Sequence, residues 1–289
     1  MAGITSADPL SQEPLIALLG KVYPHEWYPA FEKCQIDIPE FFGPYRDGHP
    51  FPLSKASEQI MTILWQIQNR PEWQGFRDQI ATTVSRMNNV KTMICLGLGT
   101  FCGTTGLLNP WIVQYAAFVY MWEIVNRKWQ NECREKSIDP PTSVERIFQD
   151  PAIDKRTIYL LQKIPRDTDP GTNVVVEHPE ALEKIDADRN TFVYAPHLPC
   201  RLSVTILSKQ PQVYVGNCST GPGGWSAAMI EEYMEECKFE GIATTGQTVN
   251  ALWTRIQAAR QAYDEVALNN EGPIYKEPLA RISIFQRGV

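Results

Sequence analysis

A glycine-rich turn behind a short apolar run holds the first residues able to do chemistry. Lys91 to Gly106 reads KTMICLGLGTFCGTTG. Met93 to Leu96 is apolar, Gly97, Gly99, Gly103 and Gly106 follow, and a long apolar-periodic segment opens near Pro110. Strand, glycine turn and helix in that order present main-chain N–H groups and a helix N-terminus to an anion at the strand's C-terminal end. Gly97 and Gly99 therefore either line a ligand site or serve close helix–strand packing. The spacing G-x-G-x-x-x-G is one residue longer than the dinucleotide fingerprint. The acidic residue available to a ribose, Asp150, lies much further along than that fingerprint expects, so no nucleotide cofactor is assigned. Thr100, inside the turn, can act as a nucleophile where a base stands in reach.

Further polar residues close the other apolar runs. Asp150 follows Val144–Phe148, Glu177 follows Val174–Val176, His197 follows Thr191–Ala195, and Asn217 follows Gln212–Val215. In an open parallel sheet, ligands sit outside the carboxyl ends of the strands, so these residues are expected to converge although they are far apart in sequence. Each also has a plainer reading. Asp150 can cap the turn that follows it, His197 can be a hydrogen-bonded structural residue, and Asn217 can hold a loop. Cys102 and Cys218 are either nucleophiles or buried, inert thiols. Later in the chain, Glu231-Glu232-Tyr233-Met234-Glu235-Glu236 places Glu231 and Glu235 one turn apart on a helix. That face is either an acidic pocket for a cation or a solvated surface. Arg127, Lys128, Arg134 and Lys136, with Trp129 among them, read as an exposed helix end and as the chain's best RNA candidate.

Strands alternating with helices must position these groups. Helices are predicted over Leu53–Gln68, with Ser54 as a cap, and over Glu72–Met87. Further helices are predicted over Trp111–Cys133, Asp154–Ile164, Pro179–Ile185, Pro199–Leu207, Ser226–Cys237 and Thr248–Leu268. Arg281–Gln286 is either a last strand or a docked tail. The pattern predicts an α/β fold, a Rossmann-like, mostly parallel sheet with helices on both faces. Residues 1–90 form a helical, Pro-rich N-terminal extension to the domain of residues 91–289. Its first part carries many aromatics, among them Trp27, Phe31 and Phe41, and is expected to lie over the body as strut or lid.

Composition narrows the function. The 289 residues are 43% hydrophobic and 21% charged, which excludes a disordered chain. The net charge of −6 argues against a surface given over to nucleic acid. Seven Cys, an odd count without any C-x-x-C, fit reduced thiols inside the cell and no zinc site. Without a signal-like N-terminus or an apolar run of about 18 residues, a cytoplasmic protein with no membrane span is expected.

The pieces ICLGLGTF at Ile94–Phe101, FQDP at Phe148–Pro151, FVYAPH at Phe192–His197 and VYVGN at Val213–Asn217 resemble the Sensitivity-to-Red-light-Reduced-like family, in family order. The family's Pro-His-Cys becomes Pro196-His197-Leu198-Pro199-Cys200 here, and its Gly-Asn-Ser becomes Gly216-Asn217-Cys218. The resemblance implies a regulatory protein, linked in its members to circadian control and haem metabolism. The chain also resembles the arginine-containing cyclodipeptide synthases of fungal secondary metabolism, which join aminoacyl groups from charged tRNAs into a diketopiperazine. Their Asp-Asp-x-x-Glu motif is matched by Glu231-Glu232-Tyr233-Met234-Glu235, with Glu in the first two places. This resemblance implies a transferase with aminoacyl-tRNA as partner. Thr100, Glu177 and His197 are then the catalytic candidates. Gly97, Gly99, Asp150, Asn217, Glu231, Glu232 and Glu235 are the substrate-binding ones, the three Glu reading a guanidinium.

Overall fold

The apolar run predicted as the first strand is β1, Thr92–Leu96, and it lies at the centre of a sheet. A computed structural model describes residues 53–99, 110–137, 143–150, 173–175, 180–187, 190–198, 200–217, 261–268 and 282–287, with a few single positions between them. Around β1 stand β2 (Glu145–Gln149), β3 (Asn173–Val175), β4 (Thr191–Ala195) and β5 (Val213–Asn217), all parallel. Two antiparallel strands, β6 (Tyr263–Ala267) and β7 (Ile282–Arg287), complete a seven-stranded sheet in the order β3-β2-β1-β4-β5-β7-β6. The expected mostly parallel α/β architecture is the one found.

Period-2 alternation splits the core in two. Met93 and Cys95 of β1, with Phe192 and Tyr194 of β4, face one cluster. Ile94, Leu96, Val193 and Ala195 face the other. The first face is covered by α1 (Leu53–Asn69), α2 (Gln74–Ser85) and α3 (Pro110–Glu135). Pro110 opens α3, where its missing N–H costs nothing. The second face is covered by α4 (Glu180–Ala187) and α5 (Cys200–Ser208). Ile60, Ile63, Leu64 and Ile67 bury one stripe of α1 against the same cluster as the sheet. Ser54 falls inside α1 rather than at its cap. Thr157 and Leu161 are helical and buried one turn apart, in line with the helix read over Asp154–Ile164.

Two polar groups of the sheet side are held by one aromatic of α3, Trp122. The Arg146 guanidinium stacks on Trp122 with its carbon 4.0 Å from the ring centroid. The Trp122 indole N–H in turn donates to the Val144 carbonyl at 3.0 Å. The helix predicted over Thr248–Leu268 is corrected at its end. Residues 254, 257, 258, 261 and 262 are helical, but Tyr263–Ala267 is strand β6, paired along its length with β7. Only Tyr263 of β6 is buried, so main-chain pairing with a distant strand decides its conformation, not its own side-chain pattern. The predicted last strand exists as β7, inserted between β5 and β6. The segment 1–52 and the predicted helix over Ser226–Cys237 lie outside the described residues.

Candidate functional site

The sheet order fixes where a ligand would enter. Numbering runs outward from β1 through β2 to β3 on one side and through β4 to β5 on the other. The switch point is between β1 and β4, and the crevice of such a sheet opens above their C-terminal ends. Gly97 and Gly99 leave β1 there, both in the left-handed region at φ +70 and +73. The Gly97 N–H donates to the Gln149 carbonyl at 3.2 Å. The Gly99 N–H donates to Asp150 Oδ2 at 2.9 Å. Asp150 is thus brought to the glycine turn, where it locks the turn's shape from the neighbouring strand.

The other side of the crevice is tied in the same way. Asn217 Nδ2 donates to the Leu198 carbonyl, one residue after His197, so the ends of β4 and β5 are held together. Leu198 reaches back over β1, where a Cβ at Gly97 would lie 3.2 Å from its Cγ and closer still to a methyl. His197 is exposed and has φ +56, a left-handed turn immediately after β4. Gly97, Gly99, Asp150, Asn217 and the turn carrying His197 therefore share one edge of the sheet. Thr100, Glu177, Glu231, Glu232 and Glu235 lie outside the described residues, as do Cys102 and Cys218.

Three residues of this edge carry no signal in the sequence reading. Trp111, at the start of α3, presses its indole on Gly99, where a Cβ would stand 3.0 Å from the ring. Gln149 Oε1 accepts the Ala181 N–H at 3.2 Å, capping the first turn of α4 from the end of β2. Leu198 is an ordinary buried leucine by type. A Gly followed by a Trp twelve residues on is the only trace of the first, and nothing local marks the other two.

The described thiol closest to the site is no nucleophile in this fold. Burial pushes the Cys95 thiol well above its ordinary value, and the Asp150 carboxylate pushes it further the same way. Native Cys95 is therefore expected to resist iodoacetamide at about pH 8 and to react once the chain is unfolded, read by peptide mass spectrometry. Linkage gives the accompanying sign. The unfolded chain releases this proton before the folded one does, so stability is lost as pH rises beyond the ordinary thiol value. Rapid labelling of native Cys95 at that pH would contradict the burial.

The basic residues at the end of α3 are far from this edge, because a helix of 26 residues spans about 39 Å. Lys128 Nζ donates to the Ser85 carbonyl at 2.7 Å and pairs with Glu132 at 3.7 Å. Lys136 donates to Asn89 Oδ1 at 2.8 Å, and Lys91 sits over Trp129. These contacts bind the helix end to the loop before β1. Among the described residues no group of three or more His, Cys, Asp or Glu is placed to hold a metal, and no helix is long and apolar enough to cross a membrane.

Against protein families, the model described as the SRR1 domain matches residues 69–250. The match opens at the end of α1 and takes in α2, the parallel strands and the glycine turn, so it includes every element that builds the crevice. No curated protein and no solved structure gives a significant match. With well over half of its length matched, from the last residue of α1 past the end of β5, the chain belongs to the SRR1 domain family.

Proposed function

We propose that this protein transfers an activated aminoacyl group in the crevice above β1 and β4, with aminoacyl-tRNA as donor, as the arginine-containing cyclodipeptide synthases do. One observation supports the reading. Hydrogen bonds from Gly99 to Asp150 and from Asn217 to Leu198 tie the strand ends in two pairs, β1 with β2 and β4 with β5, as a rim on either side of the switch point. Left-handed backbone at Gly97, Gly99 and His197 gathers on that rim, the kind of conformation that recurs at working sites.

The chemistry runs as follows. The Thr100 hydroxyl attacks the aminoacyl ester carbonyl, the tRNA 3′-hydroxyl leaves, and the threonine proton passes to His197 or Glu177 and on to the leaving oxygen. The Gly99 N–H is already committed to Asp150, so the oxyanion takes its hydrogen bonds from another amide of the same turn. Asn217 orients the acyl group, and Glu231, Glu232 and Glu235 pair with a guanidinium. The amine of a second aminoacyl-tRNA then displaces the Thr100 oxygen to give a dipeptidyl-tRNA, and attack of the first residue's amine on the remaining ester carbonyl closes the diketopiperazine as the second tRNA's 3′-hydroxyl leaves.

A second reading has its own support. Gly99 and Asp150 satisfy each other without a ligand, which suits a non-catalytic regulatory protein holding a metabolite in the same crevice. Mass spectrometry of small molecules from cells expressing the protein separates the two. The transferase reading expects new diketopiperazines that vanish in Thr100→Ala. Extracts identical with and without the protein favour the regulatory one.

A further inference from the structure

Beneath the rim lies a buried hydroxyl that no described residue bonds. Tyr194 is fully buried on β4, and among the described residues its phenol oxygen has no hydrogen-bond partner. Its ring rests 5.9 Å from Phe118 of α3. Such orphans are rare, because a buried polar group left unmatched is costly, and each calls for an explanation such as an unfilled ligand contact.

Position supplies the explanation. Tyr194 is opposite Cys95 in the β1–β4 register, one residue before the end of β4, and both side chains face α3. β1 and β4 are the two strands that flank the switch point, so this pair lies just below the strand ends where the crevice opens. We propose that the Tyr194 hydroxyl is a ligand-contacting donor, hydrogen-bonding a neutral carbonyl oxygen of the group bound between β1 and β4.

The neutral oxygen follows from the surroundings. Asp150 stands on the adjacent strand end, and its charge is felt at Cys95. A phosphate or carboxylate held beside that phenol meets a like charge and has a single donor, whereas an ester or amide carbonyl needs only one. Burial, and after it Cys95, raises the phenol well above its ordinary value, so it is present as the donor form. The assignment rests on the aminoacyl reading for the identity of the carbonyl.

The test is calorimetric binding of a non-hydrolysable arginyl-adenosine amide, beside thermal melts of the free protein. Tyr194→Phe is expected to bind the amide roughly ten- to a hundredfold more weakly than the wild type. It is also expected to melt at the wild-type temperature or above, since it loses a hydroxyl with no partner among the described residues. Equal binding by variant and wild type overturns the assignment and leaves the aminoacyl reading standing. A variant that melts lower shows the hydroxyl bonded within the fold and overturns it as well. A wild type that does not bind the amide removes the aminoacyl reading, and this assignment with it.

Discussion

Gly216→Val is expected to destabilise the protein by about 3 kcal/mol or more, enough to lower its melting temperature by roughly 6 °C. The reason is a side chain two residues back on the same face of β5. The Tyr214 ring lies over Gly216, and a Cβ there would stand 2.7 Å from its Cε1 and closer to the phenol end. Tyr214 has nowhere to go. It is fully buried, its hydroxyl donates to Ser203 Oγ at 2.8 Å, and its ring packs 5.5 Å from Phe285. A double-mutant cycle isolates the cause. Adding Gly216→Val to Tyr214→Ala should cost much less than adding it to the wild type, because the ring's volume is already vacant. The same loss in both backgrounds would show that the collision is not with Tyr214.

The second large effect is on activity. Under the aminoacyl reading, Glu232→Gln and Glu235→Gln each remove a carboxylate partner of a guanidinium. A charge-assisted bond of that kind is worth on the order of 1.5–3 kcal/mol, so turnover of an arginyl substrate should fall roughly ten- to a hundredfold. Stability should change by no more than about 0.5 kcal/mol. Product formation beside a thermal melt reads both. Near-wild-type turnover in the two variants would mean that this acidic run is only a solvated helix face.

Much of the sheet was legible because its central strands are short apolar runs closed by turn residues. Thr191–Ala195 is β4 as read, and the strand, glycine turn and Pro110-led helix follow one another as their residue types require. β6 was not legible. Its residues extend a helical pattern, and what makes Tyr263–Ala267 a strand is pairing with a segment some twenty residues further on. The site was half legible. Asp150 and Asn217 announce themselves as polar residues at strand ends, and both make contacts across to the neighbouring strand's loop. Their partners do not. A main-chain carbonyl at Leu198 and an amide at Gly99 have no type to read, and the fit of Trp111 on Gly99 is a matter of three-dimensional packing. Tyr194 was hidden inside an apolar run, where a tyrosine counts as core. Only its fully enclosed hydroxyl sets it apart.

The most direct measurement is product formation by the purified protein from arginyl-tRNA mixed with a second charged tRNA, followed by mass spectrometry, for the wild type and for Asn217→Ala. The crevice account predicts an arginine-containing diketopiperazine with the wild type. It predicts a loss of roughly tenfold or more with Asn217→Ala, which frees the Leu198 carbonyl and releases the turn after β4 from the end of β5. Release of free amino acids alone, at the rate seen without protein, would contradict it.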